Sequence, residues 1–243
     1  MTAPVSPAQW WRAAALDALA LALPTSCAGC GADDRLVCPE CRQQLVPRVR
    51  AIELWREGHV PLPLYFGLDY EPPVSGLLHA LKESGATAVT PPLAHALRLI
   101  IAEVLPVLTR SDPTKPARPT PVWVTPPSTA ASYRSRGYVP VLLLARRAGL
   151  RPAPLLRQAT ARRDQAELGR NERFDNMAGT MVATSAARGA SVIVLDDVAT
   201  SGATLCEAAR ALREGGATVL AAVTLAHTPA HAAAATPGAR KTF

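Results

Sequence analysis

The chain has 243 residues, 49% of them hydrophobic, with a formal net charge of +7. That is long enough for one α/β domain with an accessory piece. The positive balance suits an anionic substrate such as a polyphosphate, or serves solubility alone, and no concentrated Lys/Arg block supports DNA binding by itself.

Taken in chain order, residues 1–24 read as an amphipathic helix. Trp10, Ala13, Leu16, Leu19 and Leu23 share an apolar surface, Arg12 and Asp17 mark its polar edge, and Pro24 ends it. The two charges interrupt the apolar segment and no basic region precedes it, so it does not read as a secretory signal. A docking helix or a homodimer contact is the expectation, with a membrane-surface helix as the smaller alternative. No run reads as long and apolar enough to span a membrane.

Residues 25–47 hold Cys27-x-x-Cys30 and Cys38-x-x-Cys41. This spacing lets four thiolates surround one tetrahedral Zn²⁺, and four protein ligands leave no open position, so the metal is structural. The alternative is free thiols or a redox pair. Such closely paired cysteines place the chain in a reducing cytoplasm. Cys206 stands apart as packing.

Residues 48–110 form a hood and helical elements that join the core. Leu45–Pro63 reads as a connection, Leu62, Leu64, Phe66 and Leu68 as an alternating strand, and Val74, Leu77, Leu78 and Leu81 as a helix that carries Lys82 near its end. A second apolar helix is expected over Leu93–Leu105. His79 has no partner in the pattern and reads as a solvent or packing residue. Residues 111–121 are a proline-rich, fairly stiff connection.

The core is placed at residues 122–228. Pro121–Thr125 is a strand entering a Pro126-Pro127-Ser128 turn. Arg134 and Arg136 precede an apolar helix over Val139–Ala148, where they can meet a pyrophosphate or simply flank the helix in solvent. From Arg157 to Asn176 large apolar residues thin out and arginines dominate, among them Arg162, Arg163, Arg170 and Arg173. Such a loop is useful if it closes over a polyanion. A strand over Ala178–Val182 is expected next. Residues 229–243 form a flexible tail.

The most informative stretch is Val192–Thr204. A β-branched apolar run reaches Asp196 and Asp197, then passes through Thr200, Ser201, Gly202, Ala203 and Thr204 into a helix. Small residues let backbone amides approach an anion at a helix N-terminus, and two acids beside such a cradle suit the hydroxyls of a phosphorylated sugar. Neither a Walker loop nor a dinucleotide-binding turn is present.

This run resembles the phosphoribosyl pyrophosphate signature of type I phosphoribosyltransferases. Together with the four-cysteine knuckle, the Leu81-Lys82 segment, Gln165–Leu168 and Arg173–Gly179, it is similar to the ComF family of phosphoribosyltransferase-like competence proteins. Arg136-Gly137-Tyr138 resembles that family's Arg-Gly-Phe element, with Val139-Pro140 where Asn and Gln commonly stand.

The resemblance implies a type I core: a parallel sheet of about five strands flanked by helices, with a zinc ribbon and a small hood. It implies Cys27, Cys30, Cys38 and Cys41 as zinc ligands. Asp196 and Asp197 would address the ribose directly or through Mg²⁺-associated water, and Thr200–Thr204 would hold the 5′-phosphate. The Pro126–Ser128 turn falls where the pyrophosphate loop stands, and the segment before Met177, with Arg173, looks like the lid. The implied reaction is attack of a nitrogen acceptor on phosphoribosyl pyrophosphate with release of pyrophosphate. The alternative is a non-catalytic phosphoribosyl pyrophosphate or nucleotide sensor, linked to DNA or a DNA-processing protein.

Overall fold

The computed structural model describes residues 26–33, 35–55, 60–110, 120–159 and 179–228. The expected N-terminal helix, most of the proline-rich connection, the arginine-rich segment from 160 to 178 (with Arg173) and the tail lie outside the described residues.

The elements run α1 (Pro39–Gln43), β1 (Arg50–Leu54), β2 (Leu62–Asp69), α2 (Val74–Glu83), α3 (Thr90–Leu108), β3 (Val122–Val124), α4 (Ala130–Arg136), α5 (Pro140–Arg147), β4 (Leu156–Gln158), β5 (Met181–Ala183), β6 (Ser191–Ala199), α6 (Ala203–Glu214) and β7 (Thr218–His227). A five-stranded sheet has the order β1-β2-β7-β6-β3. β2, β7, β6 and β3 are parallel, whereas β1 joins β2 antiparallel. The sheet is therefore mixed, not the wholly parallel one expected. Residues 50–54, read as part of a connection, are mostly exposed. An edge strand needs no buried face, so the sequence shows no strong alternation there.

β6 explains the architecture. Val192, Ile193, Val194 and Leu195 are all buried, because a central parallel strand is covered on both faces. Ile193 and Leu195 pack with Leu93, Leu97 and Ile100 of α3 and Val141 and Leu144 of α5. Val192 and Val194 pack with Leu205, Ala208 and Leu212 of α6. The two layers follow the two-residue period of the strand.

By length and composition alone, Thr87–Leu108 is apolar enough to cross a membrane, contrary to the expectation that no run is. In the fold, Leu93, Leu97, Ile100 and Val104 from this run pack into the core. Their hydrophobicity is thus accounted for by burial against β7 and α5.

The short β4–β5 hairpin is clamped to α6. The carboxylate of Glu207, fully buried, accepts from the Met181 N–H at 3.1 Å and pairs with Arg210 at 2.7 Å. Arg210 also donates to the Met181 carbonyl at 3.0 Å. A buried charge held by both a backbone amide and a guanidinium is stable only as a complete set.

Candidate functional site

The site is built where β6 runs out. The acids do not follow the strand, as expected, but lie within it: Asp196 is in register with Thr224 and Val198 with Ala226 of β7. Thr200–Gly202 then turns the chain into α6. Gly202 has φ +75, and a Cβ there would come within 2.8 Å of the Leu54 side chain. The left-handed backbone favours glycine, and a Cβ would also have to displace the Leu54 side chain. Gly202 offers α6 no side-chain cap. Ser201 Oγ accepts from the Ala203 N–H only at a long 3.4 Å. The first-turn amides of α6 are thus well disposed toward an anion.

The two carboxylates have different partners. Asp197 is buried, and its Oδ1 receives Lys82 Nζ at 2.7 Å. Asp196 Oδ1 accepts the N–H of Asp197 at 2.8 Å. Burial, reinforced by the adjacent Asp197 charge, pushes the Asp196 carboxyl up to about 7. The Asp197 amide and the Lys82 ammonium oppose that rise without cancelling it.

Lys82 is the cleft residue whose acidic partner sequence reasoning missed. Three contacts fix the helix that carries it. Tyr138 donates its hydroxyl proton to the Leu81 carbonyl. Arg136 pairs with Glu83 at 2.9 Å. At the other end of α2, Gly76 lies so close to the Ala28 carbonyl that no side chain fits between them. The Leu-Lys pair at a helix end was visible in the sequence, but nothing local names its acidic partner.

A cleft of about 450 Å³ is lined by Tyr70, Lys82, Arg136, Asp196, Asp197 and Thr200, and among others by Thr204, Ser132, Val139 and the Pro126–Ser128 turn. It brings together Asp196, Asp197, Arg136, Thr200 and Thr204 from the expected set. Ser201, Gly202 and Ala203 stand in the same loop but do not line the cleft, and Arg173 lies outside the described residues. Arg136, expected in the segment before the Val139–Ala148 helix, ends a helix of its own, α4, whose start is capped by Thr129 Oγ1 accepting the Ser132 N–H at 3.1 Å. A Thr three residues before Ser132 was a readable cap. Arg136 Nε is buried and has no partner among the described residues, and Arg136 lines the cleft.

The four cysteines converge as their spacing predicts. Their sulfurs all lie within 4.8 Å of one another. Cys30 Sγ and Cys38 Sγ are 3.7 Å apart, close to the edge of about 3.8 Å for a tetrahedron with zinc–sulfur bonds of about 2.3 Å. Backbone amides support the thiolates: Cys38 N–H points at Cys27 Sγ at 3.3 Å and Cys41 N–H at Cys38 Sγ at 3.4 Å. The donor set and its geometry fit a structural divalent metal such as zinc. The knuckle packs on α2, since a Cβ on Gly29 would meet Pro73 at 2.7 Å and Cys41 Sγ at 2.9 Å.

The sequence model of the family described as "Phosphoribosyl transferase domain" matches residues 135–239. No curated protein matches the chain. The matched span begins beside Arg136 and contains Asp196, Asp197 and the Thr200–Thr204 loop. It covers β6, α6 and β7, and the knuckle and Lys82 lie before it. The chain therefore carries a phosphoribosyltransferase-like domain.

Proposed function

We propose that the cleft binds phosphoribosyl pyrophosphate with Mg²⁺ and supports transfer of the phosphoribosyl group to a nitrogen nucleophile. In that transfer the bond from C1 to the pyrophosphate oxygen breaks as the nitrogen–C1 bond forms, and pyrophosphate leaves with the electron pair. The observation that carries the reading is the convergence of Asp196 and Asp197 with Thr200, Thr204 and Arg136 on one cleft, inside the span matched by the family. The similarity of the knuckle and the Leu81-Lys82 segment to the ComF family supports it further.

In this reading the Thr200–Thr204 loop and the first-turn amides of α6 hold the 5′-phosphate. Asp196 and Asp197 accept from the ribose hydroxyls and stabilise positive charge that develops on the ring. Arg136 holds the leaving pyrophosphate through its unpaired Nε. Mg²⁺, when bound with the substrate, disperses negative charge on the leaving group. Cys27, Cys30, Cys38 and Cys41 would hold a structural metal that takes no chemical part, and the knuckle, packed on α2, would help keep Lys82 in place.

One observation favours a second reading, a sensor that binds phosphoribosyl pyrophosphate or a nucleotide without turnover. Lys82 already neutralises Asp197, so the acid pair arrives with half its charge spoken for. Pyrophosphate release measured against a panel of nitrogen acceptors separates the two. Release with a particular acceptor, lost in Asp196→Asn/Asp197→Asn, supports transfer. Saturable binding without release from any acceptor supports the sensor.

A further inference from the structure

A second cleft, of about 840 Å³, adjoins the first and shares Pro126, Pro127, Ser128 and Val139 with it. Its floor and walls are Leu142 of α5, Leu150, Leu156 and a run of prolines, a surface that suits the body of a ring or another rigid apolar group. Its charge is one-sided. Arg146 and Arg151 line it, no Asp or Glu does, and neither guanidinium has a partner among the described residues. By contrast, Arg50 pairs with Asp69, Arg136 with Glu83 and Arg210 with Glu207. Two unpaired guanidinium forks over an apolar floor are complementary to a carboxylate or phosphate joined to an apolar body.

The Pro126–Ser128 turn lines both clefts. A molecule seated against Arg146 and Arg151, which do not line the first cleft, therefore stands beside the proposed phosphoribosyl pyrophosphate site. Gly149, with φ +90, has no heavy atom within 4 Å of a Cβ built on it, so the floor is open on that side.

We propose that this second cleft is the acceptor subsite and selects an acceptor that carries an anionic group, carboxylate or phosphate, on a flat or apolar body. Assignment as an acceptor subsite rests on the phosphoribosyl-transfer reading; the anion site itself does not. The Arg146 and Arg151 forks hold the anionic group, and Leu142 and Leu150 take the body.

The test is calorimetric titration of the full, zinc-loaded chain with two matched probe pairs, orotate against uracil and AMP against adenosine. A carboxylate-selective site binds orotate at least ten-fold tighter than uracil, and a phosphate-selective site binds AMP at least ten-fold tighter than adenosine. In either case Arg146→Gln/Arg151→Gln weakens the anionic probe at least ten-fold and leaves binding of Mg²⁺ with phosphoribosyl pyrophosphate within two-fold of wild type. Failure of both anionic probes to saturate, or equal binding by the double variant, overturns the proposal. Arginine-dependent anion binding in a chain that does not bind phosphoribosyl pyrophosphate overturns the acceptor role together with the transfer reading. Binding of phosphoribosyl pyrophosphate with no anionic probe bound overturns the subsite alone.

Discussion

Lys82 Nζ sits 2.7 Å from Asp197 Oδ1, joining two residues 115 positions apart. The pair ties the end of α2 to the end of β6, and its carboxylate is 7% exposed. An ammonium placed there neutralises one of the two acids proposed to address the ribose.

Removing the cation should leave a buried carboxylate uncompensated. We predict that Lys82→Met destabilises the fold by roughly 2–3 kcal/mol at pH 8, below the usual figure for a buried pair because Lys82 is itself partly exposed. Adding Asp197→Asn should recover most of that loss. A denaturant double-mutant cycle checks it, and additive losses would show that the two residues are not coupled. In the single variant, affinity for phosphoribosyl pyrophosphate should depend more steeply on Mg²⁺.

The elevated Asp196 carboxyl makes a pH-dependent prediction. Its folded value is about 7, against about 4 for a carboxyl in an unfolded chain. Between those values the folded state keeps a proton that the unfolded state has lost, so stability falls as pH rises through the window. Asp196→Asn removes that dependence. It should be more stable than wild type at pH 8 by on the order of 2 kcal/mol, half the full linkage value to allow for solvent screening, and nearly equal at pH 4. Thermal melts at the two pH values test it. A variant less stable than wild type at pH 8 would refute the assignment.

The four sulfurs predict about one zinc per chain after loosely bound ions are removed. Because the knuckle abuts α2 through Gly29–Pro73 and Gly76–Ala28, Cys38→Ser should both lose the metal and loosen the helix that carries Lys82. Metal analysis and amide exchange over residues 74–83 read the two effects separately. Wild type retaining no metal would sink the zinc assignment, and unchanged exchange in the metal-free variant would sink the mechanical link.

Gly202 is constrained twice, by φ +75 and by Leu54. Gly202→Ala should cost about 1–3 kcal/mol. Adding Leu54→Ala relieves the contact but not the backbone, so it should recover only part of the loss. Full recovery in a denaturation series would mean that backbone conformation contributes nothing there.

What the sequence made legible was local. Val192–Leu195 could be read as a buried parallel strand because each of its residues meets a packed layer. The cysteine knuckle followed from spacing alone. Lys82 could be seen on its helix, but its partner could not, since only the sheet order β2-β7-β6 carries the end of α2 to Asp197. β1 was illegible because an exposed edge strand needs no apolar alternation. β4, three residues long, has only Leu156 buried, so it passed for loop. The second cleft was equally hidden: Arg146 and Arg151 flank a helix end in sequence, and only the return of the chain past the Pro126–Ser128 turn encloses the space between them.

The most direct test of the central claim is calorimetric titration of phosphoribosyl pyrophosphate with Mg²⁺ into the zinc-loaded chain, wild type against Asp196→Asn/Asp197→Asn. The account predicts saturable one-to-one binding to wild type and at least a ten-fold loss in the double variant, with both proteins folded by circular dichroism. Absence of binding to the folded wild type, or equal binding by the variant, would contradict it.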